Sequence, residues 1–292
     1  MIFPNNPASI RLYLILVLAM VSVSSTSLVI RYVTVVPALT LAFWRMLSAS
    51  GMLWGYSLAS SCGSLSPINK KLTVFSGVFL GLHFAFFFLG VRHTSIANAT
   101  LLGNTGPFFT TIFALFSGER ISKMTYLGLG LALLGVLIVQ GSGINLGGEK
   151  ILGNSVSLLS GFFVGLSYVF SSKIREETEN LVYGRSLFLV AAVTIGVVSV
   201  FMGDSLLQFQ KEHIVWLIFL GLVPSILGHN MLNYAIKYLT PTTVASVPLG
   251  EPIIATMFGY VIFSERVPFE TVLGGPIILC GIYIILKSHS AN

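Results

Sequence analysis

The stretch VPLGEPIIATMFGYVIFSER, residues 247–266, decides how the chain is read. It is an apolar run with two prolines, Pro248 and Pro252, and a single carboxylate, Glu251, between them. An earlier stretch, GNTGPFFTTIFALFSGER at residues 103–120, has the same outline, with no glutamate before its proline. A helix rises 1.5 Å per residue, so about 20 apolar residues span a hydrocarbon layer of about 30 Å. Both stretches are therefore read as membrane-crossing helices. Each has a weak point: Gly250, Pro248 and Pro252 in one, Gly103, Gly106 and Pro107 in the other. Proline removes a backbone donor and glycine loosens the backbone, so each helix is expected to kink or unwind there.

The rest of the chain agrees with this class. Charged residues make up 9% of the 292 and hydrophobic residues 54%, against about 25% charged in soluble domains. So few charges cannot cover a soluble surface, which makes the chain an integral membrane protein. Spanning β-barrels show alternating segments of about 10 residues, whereas the runs here are continuous, so the fold class is all-α. The net charge of +6 does not indicate nucleic acid, because the basic residues lie in ones and twos between apolar runs. That is the pattern of topology signals. Ten transmembrane spans are expected, at 11–31, 38–60, 72–92, 95–117, 123–141, 152–172, 181–202, 213–236, 242–263 and 269–287. Residues 12–30 are read as a retained first span, not a signal peptide. Short connections make neighbouring spans antiparallel hairpins. Cys62 and Cys280 fall in a loop and a span, with no disulfide and no metal site expected.

Loop charges orient the spans. Arg11, Lys70, Lys71, Arg120, Lys123, Lys173, Arg175, Lys237 and Lys287 fall on one side, and Arg31, Arg92, Lys150, Lys211 and Arg266 on the other. That bias places both termini in the cytoplasm, with the plasma membrane as the expected location.

The two halves share landmarks in order. Phe43-Trp44-Arg45 answers Tyr183-Gly184-Arg185, Arg92 answers Lys237, and Gly106-Pro107 answers Glu251-Pro252. Gly118-Glu119-Arg120 answers Ser264-Glu265-Arg266, and Thr125, Gly128 and Gly135 answer Thr271, Gly274 and Gly281. Residues 1–141 and 152–292 are thus read as two five-helix repeats. An odd number of spans per repeat makes the second half enter the membrane from the opposite side. Inverted repeats of this kind let a central site open first to one face and then to the other. With these residues in view, the chain resembles the ten-helix members of the drug/metabolite transporter superfamily, of the EamA type. The resemblance rests on Phe43-Trp44-Arg45, on the prolines at 107 and 252 with their trailing Glu-Arg pairs, and on the repeated glycines. It implies export or import of amino acids, related metabolites or other small solutes. The halves differ at one point, Gly106 against Glu251, so a glutamate role does not transfer to both.

Glu251 lies about nine residues into its span, near mid-membrane. A carboxylate facing lipid there costs about 3 kcal/mol on insertion scales, so it faces the bundle interior. It binds a cationic solute group or a coupling proton, or else it locks two helices as an ion pair or a neutral acid; both readings stand. His83 and His229 fall at matching points of the two halves, and Asn230 and Asn233 extend the second into a polar strip. These four either line a solute cavity or hydrogen-bond between helices. Arg45, about 10 Å deep, is a candidate for an anionic solute group or a carboxylate partner, with a structural or gating role as the alternative. Arg185 is shallower and can reach the interface. The run Ser22-Val23-Ser24-Ser25-Thr26-Ser27 reads mainly as close helix packing, and Phe84, Phe86, Phe87 and Phe88 as packing or lipid-facing residues.

The expected function is a secondary carrier of small organic metabolites, with protons as a candidate coupling ion. No GxxxxGK[ST] occurs, and neither a cofactor nor a metal is expected. A membrane-embedded lipid-modifying enzyme is the first alternative. It needs clustered acids or histidines, and Asp204 is the sole aspartate. A passive channel is the second, and no charged ring supports it.

Overall fold

The computed structural model describes residues 7–141, 148–264 and 266–290. Glu265 and the side chain of Arg31, both used above, lie outside the described residues. Helices in chain order are α1 (Pro7–Tyr32), α2 (Ala38–Leu58), α3 (Pro67–His93), α4 (Ile96–Gly103), α5 (Gly106–Phe116), α6 (Lys123–Gln140), α7 (Ile151–Glu177) and α8 (Asn180–Met202). They continue as α9 (Ile214–Leu220), α10 (Asn230–Ala235), α11 (Pro241–Ser246), α12 (Glu251–Phe263) and α13 (Phe269–Ser290).

Local chemistry sets several starts. Ser66, Ser95, Ser122 and Thr240 cap α3, α4, α6 and α11, each accepting from the backbone N–H three residues on. Pro67 and Pro241 follow their caps at positions that need no N–H donor. The third span therefore begins at Pro67, five residues before the apolar run suggested. Similarly, α7 runs on through Lys173 and Arg175 to Glu177, because a helix does not stop where the hydrocarbon does.

Three of the spans are not single α-helices. The fourth breaks at Asn104-Thr105, between α4 and α5. The ninth passes through a 3₁₀ turn, Val247–Gly250, between α11 and α12. The eighth carries a π-helical segment, Gly221–His229, with Pro224 inside it. The first two breaks fall where Gly103, Gly106, Pro107, Pro248, Gly250 and Pro252 predict them.

Among the described residues, nine stretches are long and apolar enough to cross a membrane, one fewer than the ten expected. The exception is α2. At 21 residues it is long enough, but Arg45, Ser48, Ser50 and Ser57 lower its mean hydropathy. These residues face protein: α2 packs on α8, α9, α3 and the π segment. Lipid-facing surfaces elsewhere are greasy, with Phe116 and Phe201 each 87% exposed.

Packing pairs the halves element by element. α2 lies on α8 and α6 on α13; α3 lies on α7, and the π segment and α10 on α1. α4 and α5 pack on α7, and α12 on α1. The α6–α13 contact is backbone on backbone. A Cβ on Gly135 would sit 2.7 Å from the Gly274 carbonyl oxygen, and one on Gly281 2.6 Å from that of Gly128. Gly118 and Ser264, at matching places after α5 and α12, both take left-handed conformations, φ 79° and 53°, as helix ends often do.

Candidate functional site

The helix breaks converge on one small cavity of about 40 Å³. That is room for water and not for a metabolite in this conformation. Its wall includes Val23 and Thr26 of α1, Arg45 of α2, His83, Phe84 and Phe87 of α3, and Gly103, Asn104 and Gly106 at the first break. Val164 and Tyr168 of α7, His229 of the π segment, and Ala245, Pro248 and Glu251 at the ninth-span break complete it.

Arg45 is 1% exposed. Its Nε donates to Ser225 Oγ at 2.9 Å, one terminal nitrogen to Thr26 Oγ1 at 3.2 Å, and the other to the Pro224 carbonyl at 3.3 Å. The guanidinium carbon sits 4.2 Å from the centre of the Phe84 ring. The π segment makes this reception possible. Ser225 turns its hydroxyl back to the Leu220 carbonyl, and the Pro224 carbonyl, inside the π segment, accepts from Arg45 as well. Interruptions of this kind recur at functional sites.

Glu251 opens α12, in its first turn, and is 5% exposed. Its Oε2 accepts from Asn104 Nδ2 at 3.0 Å, so the two helix breaks are tied directly to each other. The cation nearest in the cavity, Arg45, is held by hydroxyls, a carbonyl and a ring. His83 Nδ1 lies 3.0 Å from the Ser160 carbonyl and 2.9 Å from the Ser160 hydroxyl, so Ser160 of α7 anchors that edge of the ring. The His83 and His229 rings are 6.1 Å apart, and His229 meets Phe84 edge-on at 4.9 Å. Among the described residues no three His, Cys, Asp or Glu side chains cluster as metal ligands would. The Tyr168 hydroxyl is buried without a hydrogen-bond partner among the described residues.

The structure thus gathers Arg45, His83, His229, Glu251, Gly106 and Pro248 around one space. It does not gather Asn230 and Asn233 there. The Asn230 carbonyl accepts from Asn180, its side chain approaches Gly184 of α8, and the Asn233 carbonyl accepts from Arg175. Asn230 follows His229 by one residue, which turns it by about 100° on a helix. Pro107, Gly250 and Pro252 shape the breaks from outside the cavity wall, with Gly250 set against Met20.

Sequence reading passed over Asn104, Pro224 and Ser225, and took Thr26 mainly for close helix packing. Asn104 stood inside the quoted GNTGP, and Pro224 inside an apolar span. Both were visible as polar or breaking residues at mid-membrane depth. Phe84 was read as packing and proves to be the ring under Arg45.

With that geometry in hand, comparison with known proteins is specific. The model of the EamA-like transporter family matches residues 10–140 and again residues 151–287. An uncharacterized transporter of Archaeoglobus fulgidus is 27% identical over 260 residues, covering 85% of this chain and 88% of its own. The pseudopaline exporter CntI of Pseudomonas aeruginosa is 27% identical over 247 residues, covering 83% of this chain and 84% of that one. A probable amino-acid metabolite efflux pump of Escherichia coli is 27% identical over 213 residues, covering 69% and 71%. One crystal structure superposes with a TM-score of 0.82 over 96% of this chain and 98% of its own, at 16% identity. That likeness speaks to the fold alone.

Proposed function

The chain belongs to the EamA-like transporter family, and from that premise we propose that it carries a zwitterionic organic metabolite of amino-acid type by alternating access. The observation that carries this reading is the pairing of a buried guanidinium and a buried carboxylate around one mid-membrane cavity, Arg45 on one wall and Glu251 on another. Each is held by neutral hydrogen-bond partners. A solute with a carboxylate and an amine would complement both. Phe84 and Phe87 offer apolar surface for its side chain, and the His83 ring a hydrogen-bonding nitrogen. The pseudopaline exporter and the amino-acid metabolite efflux pump among the relatives are in keeping with such a solute.

Residues 1–141 and 152–292 are proposed as inverted five-helix repeats, ten spans in all, with both termini in the cytoplasm of a plasma-membrane protein. The double family match and the mated packing of the halves support this. The cavity is too small for the solute as it stands, so binding requires the repeats to part on one side. Glu251 is also proposed to take up and release a coupling proton. Its hydrogen bond comes from an amide, which serves a carboxylate and the carbonyl oxygen of a carboxylic acid alike.

The test is a melting screen of the detergent-solubilised protein against amino acids, polyamines, sugars and nucleotides. A ligand that binds the folded state raises the melting temperature by mass action. The expected hits are zwitterions, and Glu251→Gln is expected to remove the response. A response confined to sugars or nucleotides overturns the zwitterion reading. In proteoliposomes, uptake of the hit that follows an imposed pH gradient in the wild type and ignores it in Glu251→Gln supports coupling. Uptake indifferent to the gradient in both removes it.

A further inference from the structure

A second cavity of about 140 Å³ lies beyond the first and shares three of its helices. On α5, Gly106 faces the first cavity and Thr110, Phe113, Ala114 and Ser117 the second. On α7, Val164 and Tyr168 face the first, and Val169, Ser172 and Lys173 the second. On α11 and the turn after it, Ala245 and Pro248 face the first, and Thr240 to Thr243 the second. The two spaces are therefore stacked along one three-helix groove and separated by roughly one helical turn.

That separating turn has a definite composition. Thr111 of α5 and Thr242 of α11 meet hydroxyl to hydroxyl at 3.5 Å. On α7, Tyr168 lines the first cavity next to Val169 of the second and is 3% exposed. α5 sits close on α7 here, since a Cβ on Gly165 would lie 3.0 Å from Phe109 Cβ. α5 and α11 are packed together, and the side-chain hydrogen bond between them among the described residues is this weak one between short side chains. The second cavity is by contrast wet in character. Thr110, Thr242, Thr243 and Ser288 bring buried hydroxyls to it, and Arg120 and Lys173 stand exposed at its rim with Glu119.

We propose that the second cavity is the vestibule through which solute reaches or leaves the central cavity, and that the Thr111–Thr242 contact with Tyr168 is the gate between them. This rests on the transporter reading and specifies the route of that same site. The vestibule takes small polar solutes in transit. Its mixed-charge rim, Arg120 and Lys173 beside Glu119, suits a zwitterion better than an ion of either sign. Opening needs α11 and α5 to move apart by the width of one side chain, and both helices end at the breaks that line the central cavity. A shift of α11 therefore acts directly on Pro248 and Glu251, and a shift of α5 on Gly106 and Asn104.

The test reads access and not transport, so it needs no identified solute and remains informative if the zwitterion reading fails. In the full-length protein with Cys62 and Cys280 replaced by alanine, Val23→Cys places one thiol in the wall of the central cavity. A small, membrane-impermeant, positively charged methanethiosulfonate is applied to sealed vesicles at the face that bears Arg120 and Lys173. Thr111→Cys with Thr242→Cys is then cross-linked by mild oxidation, which the short separation of the two side chains permits. Labelling of Val23→Cys from that face is expected to fall by about tenfold or more on cross-linking and to recover on reduction. Labelling that continues unchanged with the gate cross-linked overturns the proposal. If the cysteine pair does not fold or does not cross-link, Ser172→Trp decides, because it fills the vestibule and leaves the gate alone. It is expected to block labelling from that face, and an unchanged rate overturns the proposal equally.

Discussion

α2 and α8 hold matching places in the two halves, pack against each other, and carry arginines at equivalent positions of their sequences, yet the two arginines have different fates. Arg45 is buried at the cavity, held by Ser225, Thr26 and the Pro224 carbonyl over the face of Phe84. Arg185 is part-exposed, stacked 4.1 Å from the centre of the Trp54 ring, and donates to Cys62 Sγ at 3.2 Å. The three-helix junction that Arg45 staples, α2 with α1 and the π segment, has its counterpart where α8 meets α7 and α3. There the staple is Tyr183, whose hydroxyl meets Ser76 Oγ at 2.7 Å and Ser171 Oγ at 2.5 Å. Both junctions bury polar groups completely. One closes on neutral hydroxyls, and the other holds a cation at the edge of an opening. A repeat can thus keep its packing and lose its chemical symmetry at a few side chains, which is what a site for an asymmetric solute needs.

The comparison breaks hardest at Arg45. Arg45→Met keeps a flexible apolar stem and removes the fork, leaving Ser225 with Leu220 alone and Thr26 and the Pro224 carbonyl without their guanidinium partner, where a buried polar group left unmet costs about 1–3 kcal/mol. Glu251 would then be the sole charge in the cavity wall. We expect the melting temperature to fall and solute binding to weaken by about 100-fold or more, with Arg45→Lys restoring little because an ammonium cannot reproduce a planar fork on a ring. Binding within about twofold of wild type in Arg45→Met, as read by the melting shift, would mean that Arg45 is a staple like Tyr183 and nothing more.

Glu251→Gln asks the same question from the other wall. The glutamine carbonyl can still accept from Asn104, and a neutral side chain is easier to bury than a charged one. Stability is therefore expected to hold within about 1 kcal/mol while solute binding drops by about tenfold or more. A large loss of stability instead, measured by thermal unfolding in detergent, would make Glu251 a structural lock between the fourth and ninth spans.

Tyr183→Phe is expected to do the reverse. Deleting one hydroxyl removes a partner from Ser76 and from Ser171 at a fully buried junction, where both keep Ser167, and should lower stability by about 1 kcal/mol. Solute affinity should not move, since Tyr183 does not line the cavity. A selective loss of affinity at unchanged stability would show that the α8 junction also reports to the site.

Much of this contrast was legible before any coordinates. The helix breaks followed from Gly103, Gly106, Pro107, Pro248 and Pro252, because backbone donors and φ freedom are local properties of those residues. The burial of Glu251 followed from the cost of a charge facing lipid, and the separate fates of Arg45 and Arg185 from their distances to the span ends. What stayed hidden depends on rotation about a helix axis. Asn230 and His229 are adjacent in sequence and point to different neighbours, and a π segment around Pro224 shifts every azimuth after it, so a strip of polar letters did not become a strip of cavity wall. Asn104 was hidden for another reason: it looked like part of a turn, and its partner lies 147 residues away. The ten-span count met a different limit. α2 is polar because its polar residues have partners inside the bundle, and hydropathy alone cannot distinguish a poor lipid helix from a central one.

The smallest effect is expected at Arg185, and it sharpens the comparison because its sequence setting resembles that of Arg45 so closely. Arg185→Gln removes a stacking cation from a part-exposed tryptophan face, an interaction worth about 0.5–1 kcal/mol at such sites. Glutamine retains a donor for Cys62 and enough length to cover Trp54, so the change in thermal stability should be near the detection limit and solute binding should be unaltered. The same exchange at the deep position, Arg45→Gln, replaces the fork that serves three buried partners with a shorter amide of two N–H donors. The two variants measured side by side hold the chemistry of the substitution constant and vary only depth and surroundings. If both prove silent, burial at the cavity is not what distinguishes the two halves. If both prove severe, the α8 arginine belongs to the working site, and the asymmetry has to be sought in Glu251 and Gly106 alone.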